Sequence, residues 1–149
     1  VKDVAYRYIR ALMVGKSIEE GTAYMLKRLQ VKFVKSGIRA AIIGIQDKGN
    51  KDAKMQDSAT GSGSIEAIYN TINRIMEQEI ILKEYNIEAI TGGKDAQAEV
   101  HVVVEDEDGK SYNGTGIDFD VLTASAKAYI QASGKAKNKQ TIEKVSAHF

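Results

Sequence analysis

From Tyr24 to Val34 the chain sets Leu26, Leu29, Val31 and Phe33 against Lys27, Arg28, Gln30 and Lys32, the alternation of a strand with one wet face. After Ser36 and Gly37 a more apolar run, residues 39–46, predicts a second strand. The turn-rich DKGNKD and the polar run over 53–59 then give a third. Beyond Gly61-Ser62-Gly63 the period changes from two to 3.6. Ile65, Ile68, Tyr69, Ile72, Ile75 and Met76 form one continuous helical face. The order is βββα.

The order then repeats. Residues 80–90, 96–105 and 110–116 read as three strands, and 120–132 as an alanine-rich helix whose stripe is Val121, Leu122, Ser125, Ala128, Tyr129 and Ala132. Each unit also passes from third strand to helix near a Gly-x-Gly element, so Gly61 and Gly63 are matched here with Gly114 and Gly116. Glycines at that point allow positive φ and close approach of backbone to a ligand, and Ser64 is read as the N-cap of the first helix. A three-stranded sheet with one helix has a thin core. The two units are therefore expected to bury helix faces against each other or against a second chain, leaving a seam suited to a small ligand.

Outside the repeat, residues 1–14 place Val4, Tyr8, Ile9, Leu12 and Met13 on one helical face, and Ser17 with Glu20 reads as a capping box. This stretch is expected to be a connector to a larger protein, or else a helix on the domain's own sheet. From Gly134 the text turns basic and polar, and 134–149 is expected to end the helix and fray, or else to form a short docked helix through Ile142, Val145 and Phe149. The fold class is thus α+β: two pseudo-two-fold βββα units with an N-terminal helical linker segment. Its parts are a linker at 1–23, a domain at 24–133 with units 24–78 and 79–133, and a tail at 134–149.

Composition narrows the function. The 149 residues hold no cysteine, which removes disulfides and thiolate metal sites and agrees with a reducing cytoplasm, the expected location. Lys plus Arg (21) nearly cancel Asp plus Glu (20), so a phosphate-tracking surface for nucleic acid is not expected. No run reaches membrane-spanning length. The two histidines, His101 within a strand and His148 near the end, fit no catalytic or metal motif, and neither catalytic nor metal residues are expected in the chain.

The segments GSGSIEAIYNTINRI, EYNIEAITGGKDAQAEVHV and NGTGIDFDVLTASAKAYI together resemble the C-terminal regulatory domain shared by 2-isopropylmalate synthases and (R)-citramalate synthases, over about residues 24–133. The resemblance implies a homodimer and a feedback site for an end product, leucine in the former enzymes and isoleucine in the latter. It also implies an absent catalytic partner, a TIM barrel whose divalent metal is held by histidines and an acid. In the isopropylmalate enzymes that barrel condenses acetyl-CoA with 3-methyl-2-oxobutanoate; no cofactor is expected in this chain. The family's effector pocket falls on Gly61, Gly63, Ile65, Glu66, Leu82, Tyr85, Ala89, Ala96, Ala98, Phe119 and Val121.

An aliphatic amino acid needs an apolar socket, N–H donors for its carboxylate and acceptors for its ammonium. Ile65, Leu82, Tyr85, Ala89 and Val121 suit the socket, and the helix starts suit the donors. Ser64, Glu66 and Phe119 depart from the family's usual residues, which leaves leucine against isoleucine open. Each socket residue also suits a plain core. A structural dimerisation module without an effector is therefore the second reading.

Overall fold

The structure is a computed structural model describing Ile9, residues 23–50, 54–89 and 96–147, with side chains in the last helix through residue 139. Ile9 is helical and exposed. The rest of the linker expected over 1–23 lies outside the described residues, except Ala23. The turn over 91–95 lies outside them too.

Strands β1 (Tyr24–Lys35), β2 (Ile38–Asp47) and β3 (Lys54–Gly61) form an antiparallel sheet in chain order, and helix α1 (Ser64–Met76) covers one face. Strands β4 (Ile81–Ala89), β5 (Ala98–Glu105) and β6 (Ser111–Asp118) form a second such sheet, followed by helix α2 (Val121–Ala147). This is the βββα repeat read from the sequence, and the fold is α+β. The likeness extends to a detail of the first strands. A register shift falls between Leu26 and Arg28 in β1 and between Leu82 and Glu84 in β4, one extra residue that bends each strand at the same point.

The alternation works as period-two sheets require. Ala41, Ile43 and Ile45 of β2, and Val100, Val102 and Val104 of β5, point inward and are fully buried or nearly so. Ile68, Ile72, Ala124, Ala128 and Tyr129 meet them from the helices, and all belong to one core. Tyr69 of α1 stacks on Tyr129 of α2 with ring centroids 3.9 Å apart, so the two units share a single interior.

Turn chemistry closes the strands. Gly37 (φ 76°) and Gly109 (φ 81°) take the left-handed conformation in the β1–β2 and β5–β6 hairpins. Buried Asp106 organises the second hairpin, accepting N–H bonds from Asp108 and Lys110 and an O–H bond from Tyr112. Those donors hold its carboxyl below the usual aspartate range, the Lys110 backbone N–H being the largest influence. The exposed edge of β6 is covered by α2. Gln131 accepts from the Thr115 N–H and Lys135 donates to the Asn113 carbonyl.

Three expectations are corrected. Gly63, not Ser64, occupies the N-cap of α1, with extended backbone (φ −164°) and no side-chain cap; Glu66 instead reaches back and accepts from the Ser62 N–H and hydroxyl. Secondly, Gly61 and Gly63 do not correspond to Gly114 and Gly116. The N-cap carbonyl of Gly63 accepts from Ala67 as Asp120 accepts from Ala124, so Gly63 matches Asp120, whereas Gly114 and Gly116 lie within β6. A Cβ on Gly114 would stand 1.9 Å from the Ala128 carbonyl oxygen, and one on Gly116 2.0 Å from that of Ala124. These glycines let α2 lie directly on the strand. Thirdly, α2 does not end at Gly134 but runs on to Ala147. Gly134 is buried against the Tyr24 ring of β1, where an added Cβ would stand 3.1 Å from a ring carbon, so it serves close packing rather than termination.

Candidate functional site

The residues expected to hold an effector fall into two groups. Leu82, Tyr85 and Ala89 point to the helix-covered face of β4, and Ala98 lies directly across from Ala89 on the same face. Ala96, half-buried, precedes β5. Phe119 and Val121 stand at the turn into α2, on the end of the sheet where Ala98 pairs with Asp118. The other group, Gly61, Gly63, Ile65 and Glu66, sits where β3 enters α1.

Within the first group the chemistry is specific. The Ser125 hydroxyl donates to the Val121 carbonyl at 2.7 Å, as serine does when it bonds one helical turn back. That leaves its oxygen to accept from the Tyr85 hydroxyl at 2.6 Å. Tyr85 and Val121 are thus joined through Ser125, a buried residue read from the sequence only as part of the helix stripe. Edge-on to Tyr85, at 6.5 Å between centroids, lies Tyr69. Tyr69 is 6% exposed, and its hydroxyl has no hydrogen-bond partner among the described residues. Burial foremost, then the neighbouring Tyr85 and Tyr129, pushes that phenol far above its ordinary pKa. Tyr129 is pushed up to about 12 by burial, although its hydroxyl bonds Asn73 at 3.0 Å. Both phenols stay protonated donors at neutral pH. Periodicity marked Tyr69 and Tyr129 only as core residues; the tertiary stack that gathers three tyrosines is not visible in one chain's spacing.

The seam between the units is therefore filled where the rings stack. At the sheet end, in contrast, Ile87 (52% exposed), Phe119 (55%) and Val121 (36%) leave a rim of apolar surface beside Ala89. The glycine group is less suited to a ligand than expected: Gly61 is pressed against the first turn of α1, its virtual Cβ 2.4 Å from the Ala67 nitrogen, and the Glu66 carboxylate already accepts from Ser62. Those Ser62 bonds hold the Glu66 carboxyl below its usual range. An open groove of about 850 Å³ lies elsewhere, lined by Ala40 of β2, Ser58 and Thr60 of β3, Asn70 and Arg74 of α1, and Glu107 of the β5–β6 hairpin, among others. It contains none of the expected effector residues.

Residues 3–137 match the family model described as the LeuA allosteric (dimerisation) domain. The chain belongs to that family. It is 58% identical over 137 residues to a 2-isopropylmalate synthase of Listeria innocua, covering 92% of this chain and 26% of the relative. It is 56% identical over 136 residues to that of Listeria monocytogenes serotype 4b, covering 91% of this chain and 26% of the relative. To that of Staphylococcus aureus strain MRSA252 it is 45% identical over 144 residues, covering 97% and 28%. The chain thus spans about a quarter of the length of these relatives. The family match takes in most of the segment read as a linker and ends just past Gly134. No helix among the described residues is long and apolar enough to cross a membrane.

Proposed function

We propose that this chain is the part of a 2-isopropylmalate synthase that pairs two subunits and binds leucine as feedback inhibitor. The enzyme of which it forms a part condenses acetyl-CoA with 3-methyl-2-oxobutanoate, in a catalytic domain outside this chain. The observation that carries this reading is the half-open cluster at the start of α2. There Tyr85, Ser125 and Val121 are bonded in sequence, the Tyr69 ring lies edge-on to Tyr85 with a buried hydroxyl that has no partner among the described residues, and Ile87 and Phe119 stand exposed at the rim. A buried phenol without a hydrogen-bond partner is costly, and an amino-acid carboxylate can accept a hydrogen bond from it.

The rim supports a site completed by a second copy of the chain. One protomer supplies a floor of aliphatic and small residues, and its partner encloses the branched side chain. Effector binding and dimerisation are then coupled, because a ligand held between subunits favours the associated state. Titration calorimetry and thermal melting with leucine, isoleucine and valine test the proposal. Leucine should give saturable heat and raise the melting temperature. Silence with all three at millimolar concentration refutes the sensor.

A specific observation favours the second reading, a structural pairing module: the junction of the units is occupied by the Tyr69–Tyr129 stack. That reading requires a dimer whose stability is the same with and without leucine.

A further inference from the structure

On the face of the second sheet that α2 does not cover, Glu88 of β4 and Glu99 of β5 are directly opposed in register, and His101 follows Glu99 on that face. Like charges set across a strand pair repel, and among the described residues no lysine or arginine pairs with either carboxylate. One donor atom from each of the three side chains lies within 4.8 Å of the others. Bonds of about 2.0–2.2 Å to a shared ion require donors somewhat closer than this, a change that small rotations of long glutamate side chains supply.

The imidazole is also held from a third strand. His101 Nδ1 lies 3.0 Å from the Thr115 hydroxyl of β6, while Nε2 faces a Glu99 oxygen at 3.4 Å. With Nδ1–H donating to Thr115, the Nε2 lone pair is directed toward the carboxylates; such an outer bond is what orients metal-binding histidines. We propose that Glu88, Glu99 and His101 form a site for one divalent transition-metal ion of the zinc class, bridging β4 and β5 and braced on β6. An imidazole with two carboxylates selects that class over calcium and magnesium, which take all-oxygen shells, and over ions that require thiolate. Glu88 is exposed and the other two half-buried, so the ion enters from solvent.

The test is equilibrium dialysis of the 149-residue chain against zinc, with metal analysis and a melting curve. Wild type should hold one zinc per chain and melt at higher temperature with zinc than in chelator. H101N and E88Q should each lower affinity at least tenfold and lose the zinc-induced shift, while melting like wild type in chelator. His148 is the one other histidine of the sequence, and H148N should bind as wild type does. The proposal is overturned if no zinc is retained, if H101N binds unchanged, if binding is lost in H148N, or if a hundredfold excess of magnesium displaces the zinc.

Discussion

Replacing Gly114 with alanine adds one methyl group where the structure has no room for it. The new Cβ would stand 1.9 Å from the Ala128 carbonyl oxygen, 2.9 Å from the Ala132 nitrogen and 3.0 Å from the Ala128 carbonyl carbon. All three obstacles are backbone, so no side-chain rotation relieves them. Restoring a contact of about 3.5 Å means moving α2 off β6 by roughly 1.5 Å, which opens gaps along the whole contact. Overpacking by a methylene costs about 1–3 kcal/mol where side chains can adjust, so about 3 kcal/mol or more is expected here. At about 2–4 °C per kcal/mol for a chain of this size, the melting temperature should fall by about 6–12 °C. Gly63→Ala is the matched control, because its Cβ meets nothing within 4 Å among the described residues and its backbone is extended. The small loss of a glycine N-cap is offset by reduced freedom of the unfolded chain, leaving a net change within about 1 kcal/mol. Thermal denaturation of the two variants side by side is the assay. Equal melting temperatures would refute the view that the β6 glycines serve helix packing.

Further outcomes follow from the buried polar groups. Tyr69→Phe removes a hydroxyl with no partner in the described residues, so the ligand-free protein should be unchanged or gain about 1 kcal/mol, while leucine affinity falls. A loss of stability on denaturant titration would show that the hydroxyl is already bonded. Asp106 has its pKa lowered on folding, so it contributes stability that is present above the unfolded value and is lost as pH falls through the lower folded one. Melting scans below the ordinary aspartate pKa of about 3.9 should therefore show a pH-dependent loss that is smaller in Asp106→Asn than in wild type, with Glu66 contributing in the same direction in both.

The two-unit plan was legible because each unit is patterned twice over, by alternation in Val100, Val102 and Val104 and by helical spacing in Ile65, Ile68 and Ile72. What escaped was set by tertiary contact. A glycine pair in β6 reads like a turn, and only the overlying Ala124 and Ala128 reveal it as a packing surface. Gly134 reads as a helix stop, yet the Tyr24 ring needs that space and the helix continues past it. Of the expected effector residues, Tyr85 and Val121 do converge, through a serine that spacing placed only in the stripe. Gly61 and Glu66 are already engaged by Ala67 and Ser62. Spacing placed side chains on faces but could not say which faces a neighbouring element fills.

Sedimentation equilibrium of the chain, with and without leucine, tests the central claim most directly. Two ligands enclosed between two protomers should tighten dimerisation by about 2.7 kcal/mol per site at a hundredfold excess over the dissociation constant. A chain that stays monomeric, or a dimer whose association constant is the same at zero and saturating leucine, would contradict it.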